Sequence, residues 1–184
     1  MSDPRKLLGP ELAALASALA PLDEEGWSSA SLCDGWTVGN VVAHLTMAAR
    51  YDEQRFGAEL AEDGFDFQAT SDRIAHRDGD LPREQLLADL RSESLATFEQ
   101  PGGGWAGSVS HAVIHGVDVT LPLGLGRVAG DDATRLVLDA LVAPATARFS
   151  VSSSVDAASR PPTWRGPTGQ GTLCGHRPAS WSPC

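Results

Sequence analysis

The stretch "GSVSHAVIHGVDVTLPLG", Gly107 to Gly124, sets His111, His115 and Asp118 at steps of four and three. On an α-helix those positions share one side, so two imidazoles and a carboxylate project together. Such a trio is either part of a divalent-metal site or a polar helix face with Asp118 simply solvated. A third histidine, His44 in "VGNVVAHLTMAAR", lies beside the inward-facing Val41, Leu45 and Ala48. A histidine there is a satisfied core residue or a ligand. Bundles build metal sites from side chains on facing helices, which would let His44 join the pair. Three neutral imidazoles leave at least one coordination position open, as catalytic zinc sites do. His76 in a polar stretch and His176 in the tail are poorer candidates.

Four helices must hold these residues. "GPELAALASALAPL" places Leu12, Leu15, Leu19 and Leu22 at helical steps, with Pro10 near the start. "TVGNVVAHLTMAARYDEQRF" reads as one helix capped by Thr37, with Val38, Val41, Val42, Leu45 and Ala49 on one face. Residues 58–80 are acidic and punctuated by glycine, and read as a loop with at most a short helical turn. "LPREQLLADLRSESLATFEQ" predicts an amphipathic helix with Leu86, Leu87, Leu90 and Phe98 inward, broken by the "PGGG" at 101–104. The fourth helix carries the opening stretch and ends at Pro122 and Gly124. "DDATRLVLDALVAPATARF" is a fifth, its acidic start suited to a helix N-terminus. Each long helix has one apolar stripe to bury, so the expected fold is all-α, an up-and-down four-helix bundle. The expected divisions are the bundle over 1–128, an additional helix over 129–150 and an irregular tail over 151–184.

Composition narrows the function. The 184 residues carry a formal charge of −10, and no cluster of Lys and Arg stands out. An acidic surface disfavours nucleic acid and anionic lipid as partners. No apolar run approaches the ~20 residues of a membrane helix, and the N-terminus lacks the apolar core of a signal peptide. The three cysteines, Cys33, Cys174 and Cys184, are too scattered for a disulfide framework or a cysteine-rich zinc module. A cytoplasmic setting is expected.

Two motifs then carry a resemblance. "WSSASLCDGWTVGNVVAHL" resembles the opening motif of the mycothiol-dependent maleylpyruvate isomerase-like family, within the DinB-like superfamily. "HAVIHGVDVTLPLG" is similar to the second signature of that family, in which an acidic residue or histidine precedes His-x-x-Asp. The resemblance implies a DinB-like four-helix bundle holding one divalent metal, zinc or nickel, through His44, His111 and His115. It departs from the isomerase at His111, where that enzyme has glutamate, and so looks more like the three-histidine pattern of the wider superfamily. The implied chemistry is activation of a low-molecular-weight thiol, mycothiol by analogy, against a small-molecule electrophile. Addition and elimination would give cis–trans isomerisation, and displacement would give S-transfer. Metal-bound water would give hydrolysis instead, and a metal-binding bundle without turnover is the non-enzymatic alternative. Asp118 is expected to orient a ligand histidine or to pair with an arginine.

Other residues have plainer expected duties. Trp27 and Trp36 pack the start of the second helix, and Asp34 and Thr37 serve the turn and cap. Cys33 is a fixed feature of the motif with no chemical role assigned to it. Arg50 and Arg73 are arginines that a carboxylate substrate would suit. A leftover helix face would permit a homodimer. After Phe149 the chain is rich in Ser, Pro, Gly and Arg, and reads as disordered. Family members often carry a small C-terminal α/β domain there. Reading "PTWRGPTGQGTLCGHRPASWSPC" in a shifted frame with G or C third positions permits "DVAGADGAGDAVRAPAGELVAV", so the tail is read as a frameshifted remnant of that domain.

Overall fold

The computed structural model describes residues 3–142. The expected run of the fifth helix to residue 150, the tail over 151–184, and with it His176, Cys174 and Cys184, lie outside the described residues. Within them the chain forms ten α-helices and no strand: α1 Leu8–Leu19, α2 Glu24–Ser28, α3 Val38–Leu45, α4 Met47–Arg50, α5 Glu53–Glu62, α6 Phe67–Gly79, α7 Arg83–Leu90, α8 Glu93–Ala96, α9 Gly104–Thr120 and α10 Asp131–Val142. The legs of the bundle are α1, α3, the α6–α7 pair and α9. They close a ring: α1 packs on α9 and α7, and α3 packs on α9, α7 and α6. The α10 helix lies against α9.

The core is the meeting of the expected apolar stripes. Leu12, Leu15 and Leu19 of α1, Val38, Val41, Val42 and Leu45 of α3, and Leu86, Leu87 and Leu90 of α7 are buried together with Val109 and Val113 of α9. Burying each such side chain contributes about 1.5–3 kcal/mol relative to leaving it in water. Phe98 is not part of this core; the chain turns after α8, and its ring is 38% exposed.

Three other expectations need correction. The acidic stretch 58–80 is mostly helical, spanning the end of α5 and all of α6. The buried side of α6 is Thr70, Ser71, Ile74, Ala75 and Asp78, a helical spacing filled mainly by small and polar residues. The long second helix is also interrupted. The Thr37 cap does hold, because its hydroxyl accepts from Asn40 N and the Asn40 side chain accepts from Thr37 N. At the other end, α3 stops at Leu45, Thr46 Oγ1 bonds back to Val42 O at 2.7 Å, and Tyr51 is extended before Asp52 caps α5. The helix expected in "LPREQLLADLRSESLATFEQ" likewise breaks at Arg91, where Ser92 caps α8.

The fit of α3 against α6 depends on small residues. A Cβ added at Gly79 would lie 2.2 Å from Asn40 Nδ2 and 3.2 Å from Asn40 Cα, and Asn40 itself caps α3 and bonds to Ala75 O. Gly79→Ala is therefore expected to destabilise the protein by about 1–3 kcal/mol, the usual cost of overpacking. Chemical denaturation measures it, and an unchanged midpoint would refute this packing.

Candidate metal centre

His44 sits in the last turn of α3, and His111 and His115 sit one turn apart on α9, which crosses it. The three rings stand at 4.8–5.0 Å between centroids and nearly perpendicular to one another. Their nitrogens lie within 4.8 Å of one another, and His44 Nε2 is 2.8 Å from His111 Nε2. Around a tetrahedral zinc ion with bonds of about 2.0–2.1 Å, nitrogens stand roughly 3.3–3.4 Å apart. Modest ring movements would accommodate an ion.

The outward-facing nitrogens decide which lone pairs face inward. His44 Nδ1 is 3.0 Å from Ser71 Oγ, and His115 Nδ1 is 2.9 Å from Asp118 Oδ2. A carboxylate is an acceptor, so His115 Nδ1 carries the proton and donates to Asp118. The Ser71 hydroxyl can accept in the same way from His44. His115 is then held as the tautomer with an Nε2 lone pair, the form that ligates metal, and His44 takes the same form when Ser71 accepts.

Electrostatics keep His44 and His111 neutral. Desolvation, followed by the charge of His115, pushes His44 from its ordinary 6.5 down to about 3. Desolvation, with His44 and His115 alongside, holds His111 well below its ordinary value. A depressed histidine binds fewer protons in the native than in the unfolded state. Stability therefore rises with pH between about 3 and 6.5 and is lost as pH falls through that window. The metal-free protein is expected to melt at progressively lower temperature below pH 6.5, with a shallower slope in His44→Gln. Equal slopes in calorimetric scans would contradict the burial of a neutral imidazole.

The surrounding shell comes from α6 and the loop between α2 and α3. Trp36 packs its ring 5.2 Å from that of His44, and its indole N–H donates to Asp72 Oδ1 at 2.6 Å. Cys33 is buried with Sγ 3.4 Å from Asp118 Oδ2 and 3.8 Å from His115 Nδ1. Ser71, Trp36 and Cys33 thus join the neighbourhood of the histidines without having been expected there. Asp118 approaches His115 and no arginine within the described residues. His76 stays half-exposed beside Asp72, away from the cluster.

Arg50 and Arg73 are committed elsewhere. The Arg50 guanidinium bonds Asp78 Oδ2, Asp89 Oδ2, Thr46 Oγ1 and Ala43 O. Arg73 is held by Asp63 and Glu59. Neither is left to receive a substrate carboxylate.

An all-α bundle with three histidines converging from two packed helices belongs to a recognisable class of scaffold. A family model, the mycothiol maleylpyruvate isomerase N-terminal domain, matches residues 8–113, and the chain belongs to that family. The match covers more than half of the chain and includes His44 and His111; His115 lies just beyond it. No curated protein and no solved structure matches in the corresponding searches. Among the described residues no helix is long and apolar enough to cross a membrane.

Proposed function

We propose that the chain binds one divalent metal ion, zinc or nickel, through His44, His111 and His115. With it the protein would turn a low-molecular-weight thiol of the mycothiol kind onto a small electrophile, by S-transfer or cis–trans isomerisation. The observation that carries this reading is the convergence of the three rings, with His44 Nε2 2.8 Å from His111 Nε2 and with the other nitrogen of His44 and Nδ1 of His115 engaged by Ser71 and Asp118. The donor set fits the group: three uncharged imidazoles suit zinc and nickel and do not fill a four-coordinate shell.

When bound, the ion supplies the Lewis acidity that keeps a thiol as thiolate at neutral pH. The residues of the chain do the rest. Asp118 fixes the His115 ring and raises the basicity of its lone pair, and Ser71 does the same for His44 more weakly. Trp36 walls the His44 side with an apolar face, which limits water there. His44 and His111 remain partly exposed, so a small molecule can reach the cluster from their side.

The test is incubation of the metal-loaded full chain with mycothiol and a bimane electrophile. A transfer rate above that of the metal-free protein, lost in His111→Ala, is the expected result. A rate equal to the metal-free control would leave a metal-binding bundle without this turnover.

A further inference from the structure

The thiol of Cys33 is unused by the site described above, yet it points at the back of that site. Cys33 Sγ, His115 Nδ1 and Asp118 Oδ2 form a second group of three donors within 4.8 Å of one another. Their separations are 3.4, 3.8 and 2.9 Å. A tetrahedral ion with metal–sulfur bonds of about 2.3 Å and nitrogen and oxygen bonds of about 2.0–2.2 Å needs edges of roughly 3.3–3.6 Å. The donors are therefore close to a ligating arrangement before any ion enters.

The loop holds that arrangement firmly. Ser31 Oγ accepts from Cys33 N and donates to Trp36 O, Ser31 N also bonds Trp36 O, and Trp36 N bonds Cys33 O. Leu32 N donates to Asp118 O at 2.9 Å, which ties the loop to α9 beside the carboxylate. Charge also balances, since a thiolate and a carboxylate together neutralise a dipositive ion in a buried place.

We propose that Cys33, His115 and Asp118 form a second cation site, for a thiophilic divalent ion, which competes with the three-histidine site for His115. This rests on the proposed role of His115 in the first site only for the competition. One neutral imidazole has one lone pair. Coordination through Nδ1 moves the His115 proton to Nε2, which then carries no lone pair with which to ligate. The Cys33 thiol proton passes to solvent, so one proton is released for each ion bound. The three-histidine site is thereby reduced to two imidazoles.

The experiment uses the full chain with Cys174→Ser and Cys184→Ser, freed of metal and titrated with cadmium. The expected result is an ultraviolet thiolate-to-cadmium charge-transfer band that saturates at one equivalent. Cys33→Ser removes the band, and Asp118→Asn weakens cadmium binding at least about 10-fold. The band persists in His44→Ala/His111→Ala, which lacks the first site, so the two sites fail or stand independently. In cobalt-loaded protein, cadmium is expected to diminish the visible cobalt bands of the parent and spare those of Cys33→Ser. No cadmium band in the parent, or a band that survives in Cys33→Ser, would overturn the site. Full cadmium and full cobalt signals together would overturn the competition.

Discussion

Replacement of His115 by alanine is expected to lower zinc affinity by more than 100-fold, a larger loss than for any residue that only supports the cluster. Removing a residue that merely supports a metal ligand typically costs about 10–100-fold. His115 is both a donor and the buried member of the trio, and its ring is clamped at Nδ1 by Asp118. Asp118→Asn keeps the volume but exchanges the carboxylate for an amide that holds the tautomer less strongly, so it should fall within that 10–100-fold range. Ser71→Ala should cost less, because a hydroxyl is a weaker acceptor than a carboxylate. His44→Ala and His111→Ala should resemble His115→Ala, since each removes one of three donors. Competition against a chromophoric chelator measures the series. A His115→Ala protein that binds zinc like the parent would remove the cluster from consideration as a metal centre.

The second large effect concerns stability rather than chemistry. Arg50→Ala is expected to destabilise the fold by about 3–5 kcal/mol, the range for breaking a buried pair and stranding its partner. Its side chain is 9% exposed and bridges Asp78 at 3.2 Å and Asp89 at 2.9 Å, carboxylates from α6 and α7. The same guanidinium bonds Ala43 O and Thr46 Oγ1, where α3 ends and α4 begins. One arginine therefore ties the broken second leg to the third.

Burial works to raise the Asp78 pKa. Hydrogen bonds from Tyr51 and Arg77 and the charge of Arg50 outweigh burial, and the value falls below the ordinary 3.8. A depressed carboxylate stabilises the native state above its unfolded value, and that stability is lost as pH falls through the native one. The deficit of Arg50→Ala should accordingly be full at neutral pH and shrink in acid below about 3.8. Arg50→Lys should recover only part of it, since a single ammonium does not reproduce the fork that reaches both carboxylates. Urea denaturation decides the matter, and a loss under about 1 kcal/mol would place this network among ordinary surface pairs.

Much of this was legible from the residues. The leucine steps of α1, the valine face of α3 behind the Thr37 cap, Leu86, Leu87 and Leu90 of α7, and the "HAVIHGVD" face of α9 all lie where their spacing put them. His44, which the resemblance joined to His111 and His115, does stand in one cluster with them. The α6 helix escaped because its inward face is Thr70, Ser71, Ile74, Ala75 and Asp78, which carries helical periodicity in size but little in hydrophobicity. Its start did leave a signal, Asp66 with its carboxylate accepting from Ala69 N. Missing α6 also hid Ser71, the partner of His44, and Asp72, the partner of Trp36. Cys33 escaped for another reason. A single cysteine in a turn has no spacing to read, and only the folding of its loop onto α9 sets it beside His115 and Asp118.

The central claim is that three imidazoles from α3 and α9 hold one divalent ion, and metal stoichiometry tests it most directly. The full chain, stripped of metal and titrated with zinc at pH 7, is expected to bind about one equivalent tightly by elemental analysis after gel filtration. In a Cys33→Ser background, which silences the proposed second site, the His44→Ala/His111→Ala protein, folded by circular dichroism, should bind that equivalent far more weakly. No zinc retained by the parent chain, or the same amount retained by the double variant, would contradict the account.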